Sequence, residues 1–278
     1  MSKRKEWKSA PLPFQGQKRF FVKHFKGALK EFPEDANYVD LFGGSGLLSH
    51  TVKYVHPTAT VVYNDFDNYR KRLLAIPETN RILDELRALN LQTPRGGKIV
   101  GKEREMVCNA LKQASERGCV DWISLSPSLK FSMNYGVKLE DFINDTMYNN
   151  IRKANFQEAD DYLAGIEIVS EDYQQLYSRY KDLDNVVFLV DPPYLSTDSS
   201  TYKNGDYWSL SDYLDIVHVL DGNYFYFTSN KSHIVELFDW VETRTPGVLP
   251  FANATCTVVS NKVTHNASYK DIMYYYKT

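Results

Sequence analysis

Short runs of apolar residues alternate with segments of helical spacing along the first part of the chain. Asn37–Phe42 and Thr58–Asp65 are β-prone runs of the kind that predicts buried strands. Between them lies a glycine-rich turn, Gly43–Gly46, and then LLSHTVKYVH, whose spacing predicts a helix that stops at Pro57. A strand, a glycine loop, a helix and a second strand in this order predict the opening half of a doubly wound α/β sheet.

The same alternation returns in the second half of the chain. Ile166–Ser170 predicts a third strand, and a helical pattern begins at Asp172. Asn185–Val190 is continuously apolar, which is typical of a central parallel strand that is buried on both faces. Gly222–Asn230 and Asp271–Lys277 predict two further strands. We therefore predict an α/β domain made of residues 1–76 and 166–278.

Residues 77–165, between these two halves, lack the alternation. They contain two amphipathic helical segments, ETNRILDELRALN and KEREMVCNALKQASERG, and then an irregular aromatic stretch, WISLSPSLKFSMNYGV. This pattern predicts a mostly helical inserted domain, in which Ser126-Pro127-Ser128 is interpreted as a turn. The polar segment Ser260–Lys270 is interpreted as a loop before the last strand.

Composition narrows the class of protein. Hydrophobic residues make up 43% of the chain and aromatic residues 14%, which is enough for a buried core. No run of apolar residues is long enough for a membrane span, and the basic N-terminus lacks the apolar stretch of a secretory signal. Cys108, Cys119 and Cys256 show no paired spacing, so we expect neither a disulfide framework nor a zinc site, and we expect a cytoplasmic protein.

The net charge of -2 conceals an uneven distribution. Residues 1–30 carry nine Lys or Arg against the single acid Glu6, and a second basic stretch runs from Arg95 to Arg117. Such patches can bind phosphate groups while the whole molecule stays near neutral. They are equally typical of a solvated surface, so charge alone leaves the partner open.

DLFGGSG, Asp40–Gly46, is the first candidate functional segment. Glycines directly after a strand let the backbone turn tightly and approach a ligand, and the next helix offers free N–H groups. The segment could be a nucleotide-binding turn or a structural one. Asp65, at the end of the second strand, is placed to accept hydrogen bonds from a ribose diol, although it could instead cap the next helix.

DPPY, Asp191–Tyr194, is the sharper signal because it follows the fully apolar strand. Pro192 and Pro193 fix the backbone and remove two donors, which leaves carbonyls in a set direction. The Asp191 carboxylate and the Pro192 carbonyl can accept both protons of an exocyclic amine, while Tyr194 stacks on the ring of a planar base. A proline-stiffened loop is the structural alternative.

The order of these motifs resembles the D12 class of N6-adenine-specific DNA methyltransferases, the Dam-like enzymes. Pro13–Arg19, Asp40–Gly46, Tyr63–Asp65, the insertion and DPPY follow one another as they do in that family. The resemblance implies a Rossmann-like class I methyltransferase sheet with an inserted target-recognition domain. It also implies transfer of a methyl group from S-adenosyl-L-methionine to N6 of a flipped-out adenine in double-stranded DNA.

The resemblance and the patterns together assign the residues of the site. We expect catalysis from Asp191, Pro192, Pro193 and Tyr194. We expect the cofactor to contact Phe14, Lys18, Asp40, Phe42, Gly43, Gly44, Ser45, Gly46, Asp65, Phe66 and Asp191. We expect DNA to contact Asp172, Tyr173, Tyr194, Lys98, Lys130 and Asn134. Family members often have GGK where this chain has Gly16-Gln17-Lys18, and Asp172 could instead be a helix N-cap.

Other functions stay open at this point. The same pocket could methylate an RNA adenine or a protein glutamine, or the chain could be a catalytically silent relative that only binds DNA. Cytosine-C5 chemistry is disfavoured because no cysteine follows a proline. We expect a monomer without metal in a bacterial or phage-encoded system, working alone or alongside a restriction enzyme.

Overall fold

The computed structural model describes residues 4–131, 134–194, 208–245, 250–251, 253–264 and 267–278. A seven-stranded sheet forms its centre. The strands are β1 (Asn37–Asp40), β2 (Thr60–Asn64), β3 (Glu167–Val169), β4 (Val186–Val190), β5 (Tyr224–Ser229), β6 (Thr255–Thr264) and β7 (Ala267–Tyr276). The helices are α1 (Val22–Leu29), α2 (Leu47–Val55), α3 (Tyr69–Leu74), α4 (Ile76–Ala88), α5 (Gly101–Arg117), α6 (Trp122–Leu129), α7 (Glu140–Ile143), α8 (Tyr173–Tyr180), α9 (Leu210–Val219) and α10 (Ile234–Arg244).

The strand order is β3-β2-β1-β4-β5-β7-β6. Strands β1 to β5 run parallel to one another, whereas β7 is antiparallel to both β5 and β6. The order reverses direction between β1 and β4, and open α/β sheets bind ligands at such a switch point, outside the carboxyl ends of the strands. The prediction of a doubly wound α/β sheet is confirmed.

Helices cover both faces of the sheet and bury its apolar strands. On one face, Phe25 of α1 and Val52 of α2 belong to the same apolar cluster as Leu189 of β4. On the other face, Ile216 of α9 and Phe238 of α10 belong to the cluster around Phe188 and Val190. Every residue of β4 is buried, which explains why this strand is apolar without alternation.

The chain divides into two compact units. The first comprises Met1–Ala10, Gly16–Tyr69 and Asp161–Thr278 as far as they are described, and it contains the sheet. The second comprises Pro11–Gln15 and Arg70–Asp160, and it includes α4, α5, α6 and α7. No helix in the described part of the chain has the length and apolar character needed to cross a bilayer.

The interpretation of Ser126-Pro127-Ser128 as a turn is wrong, because all three residues lie inside α6. The helix is capped by Asp121, whose carboxylate accepts the Ser124 backbone N–H at 3.2 Å. Both carboxylate oxygens of Asp121 also accept a hydrogen bond from Arg72 Nε, at 3.1 Å each. A buried cap with a partly buried ion partner stabilises this helix despite its proline, and local periodicity predicts neither contact.

The interpretation of Ser260–Lys270 as a loop is also wrong. Strand β6 pairs with β7 in an antiparallel ladder that begins at Thr255↔Tyr275 and shifts its register between Lys262 and Thr264. Only residues 265–266, between the two strands, lie outside the described part. β6 is the last strand of the sheet, and a polar edge strand can still pair with its neighbour through the backbone.

Candidate active site

The candidate catalytic segment begins where β4 ends. Asp191 follows Val190, the last residue of β4, and Asp40 is the last residue of β1. The two strands are neighbours, with Asp40 opposite Leu189 and a hydrogen bond from Leu41 N to Leu189 O of 3.1 Å. The structure therefore brings the DPPY segment and the glycine loop to the same edge of the sheet, at the switch point.

Lys18 joins the amino-terminal motif to this segment. Its ammonium Nζ lies 2.5 Å from Asp191 Oδ2 and donates to the Gly16 carbonyl at 2.8 Å. The same ammonium lies 5.2 Å from the centre of the Tyr194 ring. The Lys18 side chain is only 5% exposed and that of Asp191 19%, so this ion pair is largely shielded from solvent. Three of the predicted residues are thus in one cluster.

Burial perturbs the pKa values of two carboxyl groups near Lys18, those of Asp191 and Asp40. Asp191 pairs with the Lys18 ammonium, and Asp40 is influenced by its charge. Burial raises the pKa of Asp191, and the charge of Lys18 opposes that shift. Burial raises the pKa of Asp40 to about 7, although Ser49 donates a hydrogen bond to its Oδ2 at 2.6 Å and the nearby Asp191 charge adds to the shift. The second oxygen of Asp40, Oδ1, is buried and has no hydrogen-bond partner among the described residues.

At Gly43 the glycine loop lies so close to β2 that there is no room for a side chain. A Cβ on Gly43 would lie 2.2 Å from Tyr63 Cε2 and 2.4 Å from the Asn64 carbonyl oxygen. Gly44 and Gly46 have φ of 52° and 68°, which favour glycine. The Tyr63 hydroxyl donates to the Gly44 carbonyl at 2.8 Å, which fixes the loop from the side of β2.

Asp65 is buried at the end of β2, as the strand pattern predicts. Its Oδ1 accepts the Tyr69 backbone N–H at 2.5 Å and lies 3.0 Å from the Tyr63 hydroxyl, whose single proton is shared between this oxygen and the Gly44 carbonyl. Asp65 therefore caps the start of α3, the structural alternative raised by the sequence. Phe66 follows it with its ring 36% exposed, beside the edge where the loop lies.

An aromatic cluster completes this edge, and the sequence pointed to only part of it. The Tyr173 ring lies 5.1 Å from that of Phe42 and stacks on Trp208 at 5.2 Å. Trp208 also contacts Phe42 edge-on at 5.4 Å. Trp208 was missed because it belongs to none of the sequence motifs that predict the site. Asp172 caps α8 by accepting the Gln174 N–H at 2.8 Å.

The remaining predicted residues belong to the second unit. Phe14 lies in its segment Pro11–Gln15, and Lys98 and Asn134 are exposed. Lys130 is buried, and its ammonium binds Asp145 Oδ2 at 2.8 Å and the Asp141 carbonyl at 2.7 Å. The charge of Lys130 is therefore used inside this unit, which leaves Lys98 and Asn134 as its predicted DNA contacts with exposed side chains.

The strand order and the two motifs at the switch point define a Rossmann-like methyltransferase. The chain belongs to the D12 class N6 adenine-specific DNA methyltransferase family, whose model matches residues 14–221, and the resemblance drawn from the motifs is confirmed. The chain is 36% identical over 281 residues to a Haemophilus influenzae protein named "Putative methyltransferase", covering 99% of this chain and 94% of that protein.

A solved structure, the precorrin-6y C5,15-methyltransferase from Geobacter metallireducens, also matches. The two chains are 9% identical with a TM-score of 0.37, over 94% of this chain and 89% of the other. A likeness of that size carries no information about the reaction of this chain.

Proposed function

We propose that this methyltransferase transfers a methyl group from S-adenosyl-L-methionine to N6 of an adenine flipped out of double-stranded DNA. The observation that carries the proposal is the juxtaposition of Asp191 with the end of β1, where the glycine loop begins. The family description names the same base and the same nucleic acid. A methyl donor bound at the glycine loop would then be next to an amine held by the DPPY segment.

The residues at the end of β1 suit this donor. Among the described residues, no group hydrogen-bonds Asp40 Oδ1, and a buried carboxylate oxygen of this kind fits the ammonium of a methionyl group. The absence of a side chain at Gly43 lets the loop pack against β2. We assign to Asp65 the binding of the donor's ribose hydroxyls, and to Phe66 contact with its adenine ring. When bound, the donor supplies a sulfonium whose methyl group is electrophilic.

The target amine needs help because its lone pair is delocalised into the ring. Hydrogen bonds from the amine to Asp191 and to the Pro192 carbonyl favour a pyramidal nitrogen whose lone pair faces the methyl group. Transfer would form the N–CH3 bond as the S–CH3 bond breaks and a neutral thioether leaves. The positively charged nitrogen would then lose one of its protons, for which Asp191 is the adjacent acceptor. Flipping costs a few kcal/mol, and stacking on Tyr194 returns about 1–3 kcal/mol.

Target recognition is the role that we assign to the inserted segment, residues 77–165. Its exposed cations, among them Arg95 and Lys98, suit phosphate contacts, and Asn134 is an exposed amide able to bond a base edge. We extend the proposal to a monomer that works in the cytoplasm of a bacterium, alone or with a restriction enzyme.

A direct comparison of acceptors tests the proposal. The protein is incubated with radiolabelled S-adenosyl-L-methionine and, in parallel, with double-stranded DNA, structured RNA and a protein mixture. We expect label in DNA alone, recovered as N6-methyladenine after digestion to nucleosides. Label that enters only RNA or protein, in a protein that binds the donor normally, would transfer the activity to one of the alternative substrates.

The perturbed Asp40 predicts how donor binding depends on pH. Its pKa of about 7 means that the free protein holds this carboxyl protonated at lower pH, whereas an ammonium ligand needs it ionised. The affinity for the donor should therefore weaken by up to about tenfold per unit as pH falls below 7, and level off above it. The other titratable groups that interact with the Asp40 charge are not substituted in this test; they are Lys18, Asp191, Tyr63 and Tyr162.

Calorimetric titration of the donor between pH 5.5 and pH 8 measures this dependence, and Asp40→Asn is the control because it cannot ionise. The variant should bind weakly with a flat profile. Folding stability should change with pH in the opposite direction to donor affinity. Because the pKa of Asp40 is higher in the folded protein than in the unfolded chain, the free energy of unfolding should decline as pH rises towards 7. A wild-type binding profile as flat as that of the variant would remove Asp40 from the donor site.

A further inference from the structure

A buried tyrosine outside the predicted motifs holds the glycine loop. Tyr162 is fully buried, and its hydroxyl donates to the Ser45 carbonyl at 3.0 Å. Its ring stacks on His50 at 4.8 Å and lies edge-on to Trp7 at 5.6 Å. Because Tyr63 binds the preceding carbonyl, that of Gly44, two hydroxyls from different parts of the chain fix consecutive peptide groups of the loop.

The amino-terminal segment in turn fixes Tyr162. The Tyr162 carbonyl accepts from Arg4 Nη2 at 2.7 Å and from His50 Nδ1 at 2.8 Å, and Arg4 Nη1 also donates to the Ala164 carbonyl. His50 Nε2 accepts the Trp7 backbone N–H at 3.2 Å. With Nδ1 donating and Nε2 accepting, the ring is the neutral tautomer. Burial lowers the pKa of His50 to about 4, which keeps it neutral in ordinary buffers.

Tyr162 lies close to the point in the sequence at which the second unit ends and the first unit resumes. The second unit ends at Asp160, and the first unit resumes at Asp161. Tyr162 therefore lies near the end of residues 77–165, the segment to which we assign DNA recognition, and it belongs to the compact unit that contains the sheet. The residue that binds the loop carbonyl is two residues along the chain from the last residue of the second unit.

We propose that Tyr162, held in place by Arg4 and His50, is a positioning residue that presets the glycine loop for the methyl donor. This inference rests on the proposed function, since it concerns the site at which the donor binds. A loop with two positive-φ glycines has many conformations available, and the Ser45 hydrogen bond restricts them before the donor arrives. The affinity for the donor, rather than the chemical step, therefore depends on the Tyr162 hydroxyl.

Tyr162→Phe tests this, because it removes the hydroxyl and keeps the ring contacts with His50 and Trp7. Tyr38→Phe is the matched control. Tyr38 is also fully buried in the same unit and donates one hydrogen bond to a carbonyl, that of Pro33 at 2.9 Å, but it lies in β1 away from the glycine loop. Both variants lose one buried hydrogen bond, so their melting temperatures should fall by similar amounts.

Calorimetry with S-adenosyl-L-methionine is the primary measurement. We expect Kd to rise about three- to tenfold in Tyr162→Phe and to stay unchanged in Tyr38→Phe, as the loss of one hydrogen bond allows. Arg4→Met should raise Kd in the same direction. In steady-state kinetics the KM for the donor should rise in Tyr162→Phe, with kcat and the KM for DNA unchanged.

These measurements distinguish a failure of the proposed role of Tyr162 from a failure of the proposed function. Wild-type affinity in a folded Tyr162→Phe variant would overturn the inference, and so would an equal loss of affinity in both variants. Either result would leave the proposed function intact. A wild-type protein that does not bind the donor at all would overturn the proposed function and the inference together.

Discussion

Asp191→Ala is expected to lower kcat about 10²- to 10³-fold while the affinity for the methyl donor changes far less. In the proposed reaction the Asp191 carboxylate accepts a hydrogen bond from the target amine, next to the nitrogen on which positive charge develops, and the loss of one such preorganised group typically has this effect. The substitution also removes the carboxylate that pairs with the buried Lys18 ammonium, which keeps its hydrogen bond to the Gly16 carbonyl. Uncompensated burial of that charge is expected to destabilise the fold by several kcal/mol.

A double variant separates these two effects. Lys18→Met combined with Asp191→Ala removes both charges, so the melting temperature should recover towards the wild-type value. Activity should not recover, because the acceptor for the amine is still missing. Single-turnover methyl transfer and thermal unfolding of the three proteins provide the comparison. Activity of Asp191→Ala within threefold of the wild type would show that Asp191 has no part in the reaction.

Gly43→Ala is expected to have the second largest effect, on donor binding. The added Cβ would meet a tyrosine ring carbon at 2.2 Å and a backbone carbonyl of β2 at 2.4 Å, and the backbone atom cannot move aside without shifting the strand. Overpacking of this kind costs about 1–3 kcal/mol or more, and the loop must absorb it. We expect donor affinity to fall at least about tenfold, which 1.4 kcal/mol corresponds to.

Gly27→Ala is the control for this substitution. Gly27 lies in α1, and outside its own helix backbone no described atom would lie within 4 Å of an added Cβ, so alanine should stabilise the helix by about 0.5–1 kcal/mol. The two glycine variants should therefore shift the melting temperature in opposite directions. Donor binding at wild-type strength in Gly43→Ala would contradict the close packing of the loop against β2.

Much of the fold and the centre of the site could be predicted because they depend on local patterns. The continuous apolar run of β4 predicts a strand buried on both faces, and the carboxyl ends of parallel strands meet at one edge. Asp40 and Asp191 could thus be expected near one another before any coordinates. The glycines of the loop follow from the same logic, since a turn at a strand end needs them.

The contacts that complete the site could not be predicted, because they join residues that are distant along the chain. Nothing local indicates that Lys18 pairs with Asp191, or that Tyr162 binds the Ser45 carbonyl. From the sequence, Lys130 is expected to be an exposed surface cation. Only the tertiary structure shows that it pairs with Asp145. Strand β6 was missed because an edge strand can be polar and still pair along its whole length.

The most direct test of the central claim is a map of modified adenines in DNA from cells that lack other adenine methyltransferases and express this protein. The account predicts N6-methyladenine at one recurring sequence context with the wild type, and none with Asp191→Ala. Genomic DNA without N6-methyladenine, from cells whose wild-type protein is folded and binds S-adenosyl-L-methionine, would contradict it.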